Sequence, residues 1–232
     1  MRGLRSILMI LILLVAGMGD SFADQKEILV VDRFSGGADA QGIPKGWSLE
    51  KNPGPQSKIS VEREKGDFFL RLLSVQDAFG VQKEISFDLR QYPDLSWRWR
   101  AIKLPEGGDI RKRETDDQAG QIYVLFPRFP SLVNIRSIGY IWDTTAPVGT
   151  SGTSTAYSRM KYVVLQSGKS KLGQWITEKR NVHEDYRKLF GEDPPRVGAV
   201  LLYINSQHTQ SSCEIQFEDI FFAPHPPELS KE

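Results

Sequence analysis

Apolar residues in this chain come in short runs, and almost every run is stopped by Gly, Pro, Asn or Asp. Runs of that length, bounded by turn formers, build strands and leave little room for long helices. The spacing predicts strands over 27–34, 58–63, 68–74, 81–87, 95–102, 120–126, 137–142, 161–166, 174–179, 197–204 and 213–222. About eleven strands with turns between them imply an all-β fold with one short helix. The expected architecture is a two-sheet antiparallel β-sandwich of jelly-roll or galactose-binding type.

Three elements carry more detail. Residues 197–204 are apolar on both alternating faces, as in a central strand covered on both sides. In 213–222, Ile215 and Phe217 share one parity while Ile220 and Phe222 share the other. One extra residue at Glu218-Asp219 returns all four to the core, so a bulge is expected there. The helix is read over 182–190: Asn181 caps it, Glu184 completes a capping box, and Val182, Tyr186, Leu189 and Phe190 form one stripe. Gly191 ends it and Pro194-Pro195 prevents its restart.

The chain begins with a short basic stretch, then Ser6 to Ala16 is almost wholly apolar. That run is short of the roughly 20 residues of a membrane span. With Ser21-Phe22-Ala23 after it, the layout is that of a secretory signal peptide cleaved after Ala23. The expected organisation is a leader over 1–23, one sandwich domain over 24–223 and a loose tail over 224–232, in a periplasmic or secreted bacterial protein with no transmembrane anchor after cleavage. The single cysteine, Cys213, excludes an internal disulfide. A net charge of +1 gives no electrostatic reason to expect nucleic acid. No oligomeric state follows from the sequence.

Several stretches, taken in order, resemble one family. They are Val31-Asp-Arg-Phe34, Pro44-Lys-Gly-Trp47, Leu95-Ser-Trp-Arg-Trp99, Asp116-Asp117 followed by Ile122-Tyr-Val-Leu-Phe126, Tyr140-Ile-Trp142, and Arg180-Asn-Val-His-Glu-Asp-Tyr186 with Phe190-Gly191. Together they resemble the exported bacterial domain-of-unknown-function family 3047, which implies an exported β-sandwich and no particular activity. One departure stands out: where an acidic Asp-x-Asp-Asn-Thr-like turn is expected, the chain reads Asn205-Ser-Gln-His-Thr209. A looser likeness runs to carbohydrate-binding jelly rolls, through the opening strand and turn at Val30–Gly37, the Gly46-Trp47 pair and Phe217-Glu-Asp-Ile220. Those folds often clamp their first and last strands with calcium, which here nominates Asp32, Glu218 and Asp219 as ligands of a structural calcium.

Candidate binding residues follow from alternation and loop content. Trp97 and Trp99 share one face of their strand and read as core; Arg98 and Arg100 share the other. If the long, charged 104–119 loop folds back, Asp116 and Asp117 meet those arginines, either as structural salt bridges or as a set that reads sugar hydroxyls. Tyr123 follows on the next strand. Tyr140, Trp142 and Tyr157 flank a second long loop, rich in Ser, Thr and Gly, and form a candidate stacking platform. Catalysis has little support: no Gly-x-Ser-x-Gly turn or phosphate loop is present, and there are three histidines. Asp116, Asp117, Asp143 and Glu184 are the carboxylates open to nomination for glycoside cleavage. The reading is a non-catalytic module for a glycan or other envelope ligand, built on Arg98, Arg100, Asp116, Asp117 and Tyr123, then Tyr140 and Trp142. The alternatives are an envelope protein–protein scaffold and a polysaccharide hydrolase or lyase. N-terminal sequencing of the protein recovered from a bacterial envelope fraction should begin at Asp24; a start at Met1 would remove the cleaved leader.

Overall fold

The computed structural model describes residues 27–130 and 134–224. The leader read over 1–23 and the tail from residue 225 lie outside the described residues. In chain order the elements are β1 (Leu29–Asp32), β2 (Ser48–Lys51), β3 (Lys58–Glu64), β4 (Asp67–Val75), β5 (Ala78–Phe87), β6 (Asp94–Lys103), β7 (Gly120–Pro127), β8 (Ile135–Asp143), β9 (Ser151–Thr153), β10 (Met160–Ser167), β11 (Ile176–Asn181), α1 (Val182–Phe190), β12 (Val197–Asn205) and β13 (Ser212–Ala223).

The strands make two sheets. A six-stranded sheet runs β11-β6-β13-β4-β3, with β1 also paired to β13; a seven-stranded sheet runs β2-β5-β12-β7-β8-β10-β9. The fold is therefore the expected two-sheet sandwich, mostly β with one helix. Pairing among the described strands is antiparallel except between β8 and β10, which run parallel because β9 and the loop before it bring the chain back. Two strands went unread in the sequence. β2 and β9 are four and three residues long and carry almost no apolar side chain, so no hydrophobic run announces them. Among the described residues no helix is long and apolar enough to cross a membrane.

The core lies between β6 and β8. Alternation puts Trp97 and Trp99 on the inner face of β6, and Tyr140 and Trp142 on the inner face of β8; all four are fully buried. Trp97 packs on Tyr140 with ring centroids 5.5 Å apart, and Trp99 on Trp142 at 5.6 Å. Trp97 and Trp99 meet edge to face at 85°. Each such aromatic pair adds about 0.5–1.5 kcal/mol beyond its buried area. The Tyr140 hydroxyl donates to Asp185 Oδ2 at 2.8 Å, and Arg180 holds the same carboxylate through two bonds at 2.6 and 3.0 Å. This ties the core to α1. The Asn181 side chain accepts the Glu184 N–H at the start of α1, and Gly191 ends it in the left-handed region at φ 74°. Tyr186 then packs on Phe126 at 4.8 Å and closes one end of the sandwich.

The bulge in β13 falls where the alternation requires it. Glu218 pairs with Arg98 and Phe221 with Ser96, so three steps on β13 match two on β6. Asp219 takes up the extra step at φ 49°. As a result Ile215, Phe217, Ile220 and Phe222 are all fully buried despite their change of parity. The bulge is also where the neighbour of β13 changes, from β4 opposite 212–217 to β1 opposite 220–222. Deleting Asp219 should turn Ile220 and Phe222 outward and leave little soluble folded protein. Asp219→Gly keeps the residue count, suits the positive φ, and should melt within a few degrees of the wild type by circular dichroism.

Candidate ligand-binding groove

The outer face of the seven-stranded sheet carries a second, smaller apolar cluster. On β12, Val200, Leu202 and Ile204 face the main core, and Leu201 and Tyr203 face outward. The outward set continues through Tyr123 and Leu125 on β7, Ile141 on β8, and Tyr162 and Val164 on β10, with Ile110 and Ala146 from the two long loops. Residues 197–204 are thus covered by the other sheet on one side only; their second apolar face forms the floor of a groove. Two glycines shape that floor. A Cβ at Gly139 would lie 2.3 Å from the Tyr123 ring, and one at Gly80 would lie 2.6 Å from the Tyr203 ring. Each ring therefore leans across the sheet into the space its neighbour's missing side chain leaves.

Buried carboxylates fix the loops above this floor. Asp143, fully buried, accepts the N–H groups of Thr145 and Ala146 at 2.7 Å and of Ile110 at 3.0 Å, which fastens the two long loops to each other. Burial raises its pKa above the ordinary carboxylate value, against the pull of those three N–H donors. Asp117, also fully buried, accepts from the backbone N–H and Nδ1 of His208, both at 3.1 Å. It also takes the Thr209 N–H at 2.6 Å and hydroxyl at 2.7 Å. The turn after β12, expected to be acidic, instead carries donors that wrap this one carboxylate.

Between the loops and the floor lies a groove of about 770 Å³. Leu125, Leu201, Tyr203 and Met160 give its apolar surface, and Tyr157, 67 % exposed, stands on its rim. One wall is polar: Asp116, Gln118, Gln121, Asn205, Gln207 and His208. These side chains are already linked. Gln118 Nε2 donates to Asp116 Oδ1 at 2.9 Å, and Asn205 Nδ2 donates to the Asp116 carbonyl at 2.7 Å. Burial raises the Asp116 pKa above its ordinary value, partly opposed by the Gln118 bond. Burial also raises Tyr123 and Tyr203, so both phenols stay protonated at neutral pH.

The structure redistributes the residues nominated from the sequence. Asp116 and Tyr123 line the groove. Asp117 sits behind the wall and positions His208. Arg98 and Arg100 do not meet Asp116 or Asp117. They lie on the outer face of the six-stranded sheet, where Arg98 pairs with Glu218, and Arg100 with Glu64 at 3.0 Å and Gln216 at 2.6 Å. Both guanidinium groups flank the Trp175 ring, at 5.5 and 4.6 Å from its centroid. The 104–119 loop folds over the opposite sheet, so the two sets are divided by the whole sandwich. Tyr140 and Trp142 form no platform, because their parity turns them into the core. The calcium set does not assemble either. Asp32 accepts from Trp47 Nε1 at 2.7 Å and Lys83 at 2.8 Å, Glu218 holds Arg98, and Asp219 lies 3.7 Å from Arg33. Among the described residues no three His, Cys, Asp or Glu side chains gather to hold a metal ion. Neither Asp143 nor Glu184 lines the groove. For Tyr203 and Gln121 the available sequence signal is parity, which each shares with a groove residue beside it on the same strand.

Residues 45–221 match the family described as Protein of unknown function (DUF3047). The chain belongs to this family. The matched span of DUF3047 runs from just before β2 to near the end of β13, and so contains the floor, both long loops and the turn at 205–209. No curated protein matches the sequence. Among solved structures, this DUF3047 chain is similar to a family 11 carbohydrate-binding module of a cellulosomal cellulase from Clostridium thermocellum, at 10 % identity and TM-score 0.44, covering 85 % of this chain and 95 % of that one. It is similar to the xyloglucanase domain of a type three effector from Sinorhizobium fredii, at 13 % identity and TM-score 0.42, covering 78 % and 93 %. A xylan-binding domain from Paenibacillus barcinonensis aligns at 11 % identity and TM-score 0.40, over 85 % and 94 %.

Asp116 gives a pH prediction. Its raised pKa means the folded state binds a proton more readily than the unfolded chain, so ionisation at Asp116 weakens the fold as pH rises through that pKa. Asp116→Asn should therefore melt at the same temperature as the wild type or higher at pH 7. The difference should close as pH falls below about 4, where the carboxyl is protonated in both states. Melting curves across pH check this.

Proposed function

We propose that this protein is a non-catalytic binding module, and that the groove on the seven-stranded sheet takes a carbohydrate chain. The observation that carries this reading is the juxtaposition of a half-buried aromatic and aliphatic floor, Tyr203 and Leu201, with a wall of amide and carboxylate groups around Asp116. A sugar ring has an apolar C–H face and a polar rim, and such a groove offers a partner to each. The floor rings are set by the sheet and the wall by buried carboxylates, so a ligand meets a surface that is already ordered, which lowers the cost of binding. Asp117 is fully engaged by four donors, which leaves Asp116 as the carboxylate of this pair that faces a ligand. The basic and apolar start of the sequence supports placing this activity in the periplasm or outside the cell.

The test is affinity electrophoresis of the 24–232 protein in gels containing plant and envelope polysaccharides, with reducing ends assayed in parallel. At least one polysaccharide should retard the wild type without release of reducing ends. Tyr203→Ala should weaken that retardation at least tenfold while keeping the wild-type circular dichroism spectrum. Equal retardation of wild type and variant would overturn the assignment of the groove, and reducing-end release would overturn its non-catalytic character.

A further inference from the structure

One buried donor on this groove has no acceptor. Gln121 is 2 % exposed, its Oε1 accepts a short bond from the Tyr123 hydroxyl, and its Nε2 has no hydrogen-bond partner among the described residues. Buried amide donors are paired in most folds, because an unpaired one has given up water for nothing. This one lies on the groove and stands in register opposite Tyr203. Residues paired across antiparallel strands are about 5 Å apart at Cβ, so a ring stacked on Tyr203 lies beside the Gln121 amide. In this arrangement the Tyr123 hydroxyl donates to Oε1, which leaves the N–H₂ end of the amide to give.

We propose that Gln121 Nε2 is the polar anchor of the site and that the oxygen it receives belongs to a neutral pyranose. This inference rests on the reading of the groove as a carbohydrate site. The other side chains of the wall are the uncharged amides Gln118, Asn205 and Gln207, the imidazole of His208 and the carboxylate of Asp116. Amides both donate and accept, as vicinal hydroxyls do. A uronate or sulfate at this position would face Asp116, and like charges at close range repel. The arginines of the groove, Arg113 and Arg159, occupy exposed positions. The wall therefore discriminates by hydroxyl geometry and disfavours an anion at the anchor.

Two variants separate this from a structural role. Gln121→Met/Tyr123→Phe removes both partners of the internal bond and leaves no stranded group, so its melting temperature should equal or exceed that of the wild type. Gln121→Glu keeps an acceptor for the Tyr123 hydroxyl and puts a carboxylate where the N–H₂ donor stood. Calorimetric titration would use soluble mixed-linkage β-glucan, mannan and galactan as neutral probes, and alginate and polygalacturonate as anionic ones. The expected result is binding of a neutral probe by the wild type and at least tenfold weaker binding by both variants. A drop of several degrees in the double variant, or undiminished binding by both variants, would overturn the anchor; if Tyr203→Ala still loses binding, the groove reading survives that result. Tighter binding of an anionic probe would overturn the neutral assignment. Failure of the wild type to bind any probe would overturn the anchor and the groove reading together.

Discussion

The contact on which the rest of the molecule depends is that of Trp97 and Trp99 with Tyr140 and Trp142. Four large rings meet where the central part of one sheet faces the other, and they set the spacing and the sense of alternation for both sheets. Once β6 and β8 commit these rings inward, Arg98 and Arg100 must face out on one side and Ile141 on the other. The outer faces then diverge. The six-stranded sheet is dressed with paired charges such as Arg71 with Glu214 and Arg98 with Glu218. The seven-stranded sheet keeps tyrosine and leucine outside, under two loops.

Those loops stay in place through a recurring device. Asp117 and Asp143 are both buried and accept backbone N–H groups from segments that lack regular pairing. A buried carboxylate is costly to desolvate, and several donors to one group offset that cost. The same bonds remove freedom from the loops. A groove wall built on such anchors has little disorder left to lose when a ligand arrives.

How much of this could be read in advance depended on where the information resides. Period-two alternation, a cap and a change of parity are local, and they yield most of the strands, α1 over 182–190 between Asn181 and Gly191, and the bulge at Glu218-Asp219. Which face of a strand turns inward is not local. The loop after Tyr140 and Trp142 points to a surface position for them, whereas the opposite sheet decides their direction. The sequence leaves open whether and to which side the 104–119 loop folds back, since Asp143 holds it through the main-chain N–H of Ile110, which carries no residue identity. Tyr203 was read as covered on both faces because its strand is apolar on both. The parity shared by Leu201 and Tyr203, matched to that of Gln121 and Tyr123, was the available sign that one of those faces is a floor.

The position of β13 has a consequence for how the chain reaches its folded state. This strand is the spine of the six-stranded sheet, holding β6 on one edge and β4 and then β1 on the other, yet it is the last of the described strands in chain order. A ribosome delivers it after every other described strand. Until it emerges, β1, β4 and β6 have no shared neighbour, and the first strand waits for a partner some 190 positions later (Leu29 with Phe222). Long-range pairing of this kind slows folding. Until β13 is made, a nascent chain lacks the keystone that closes the six-stranded sheet.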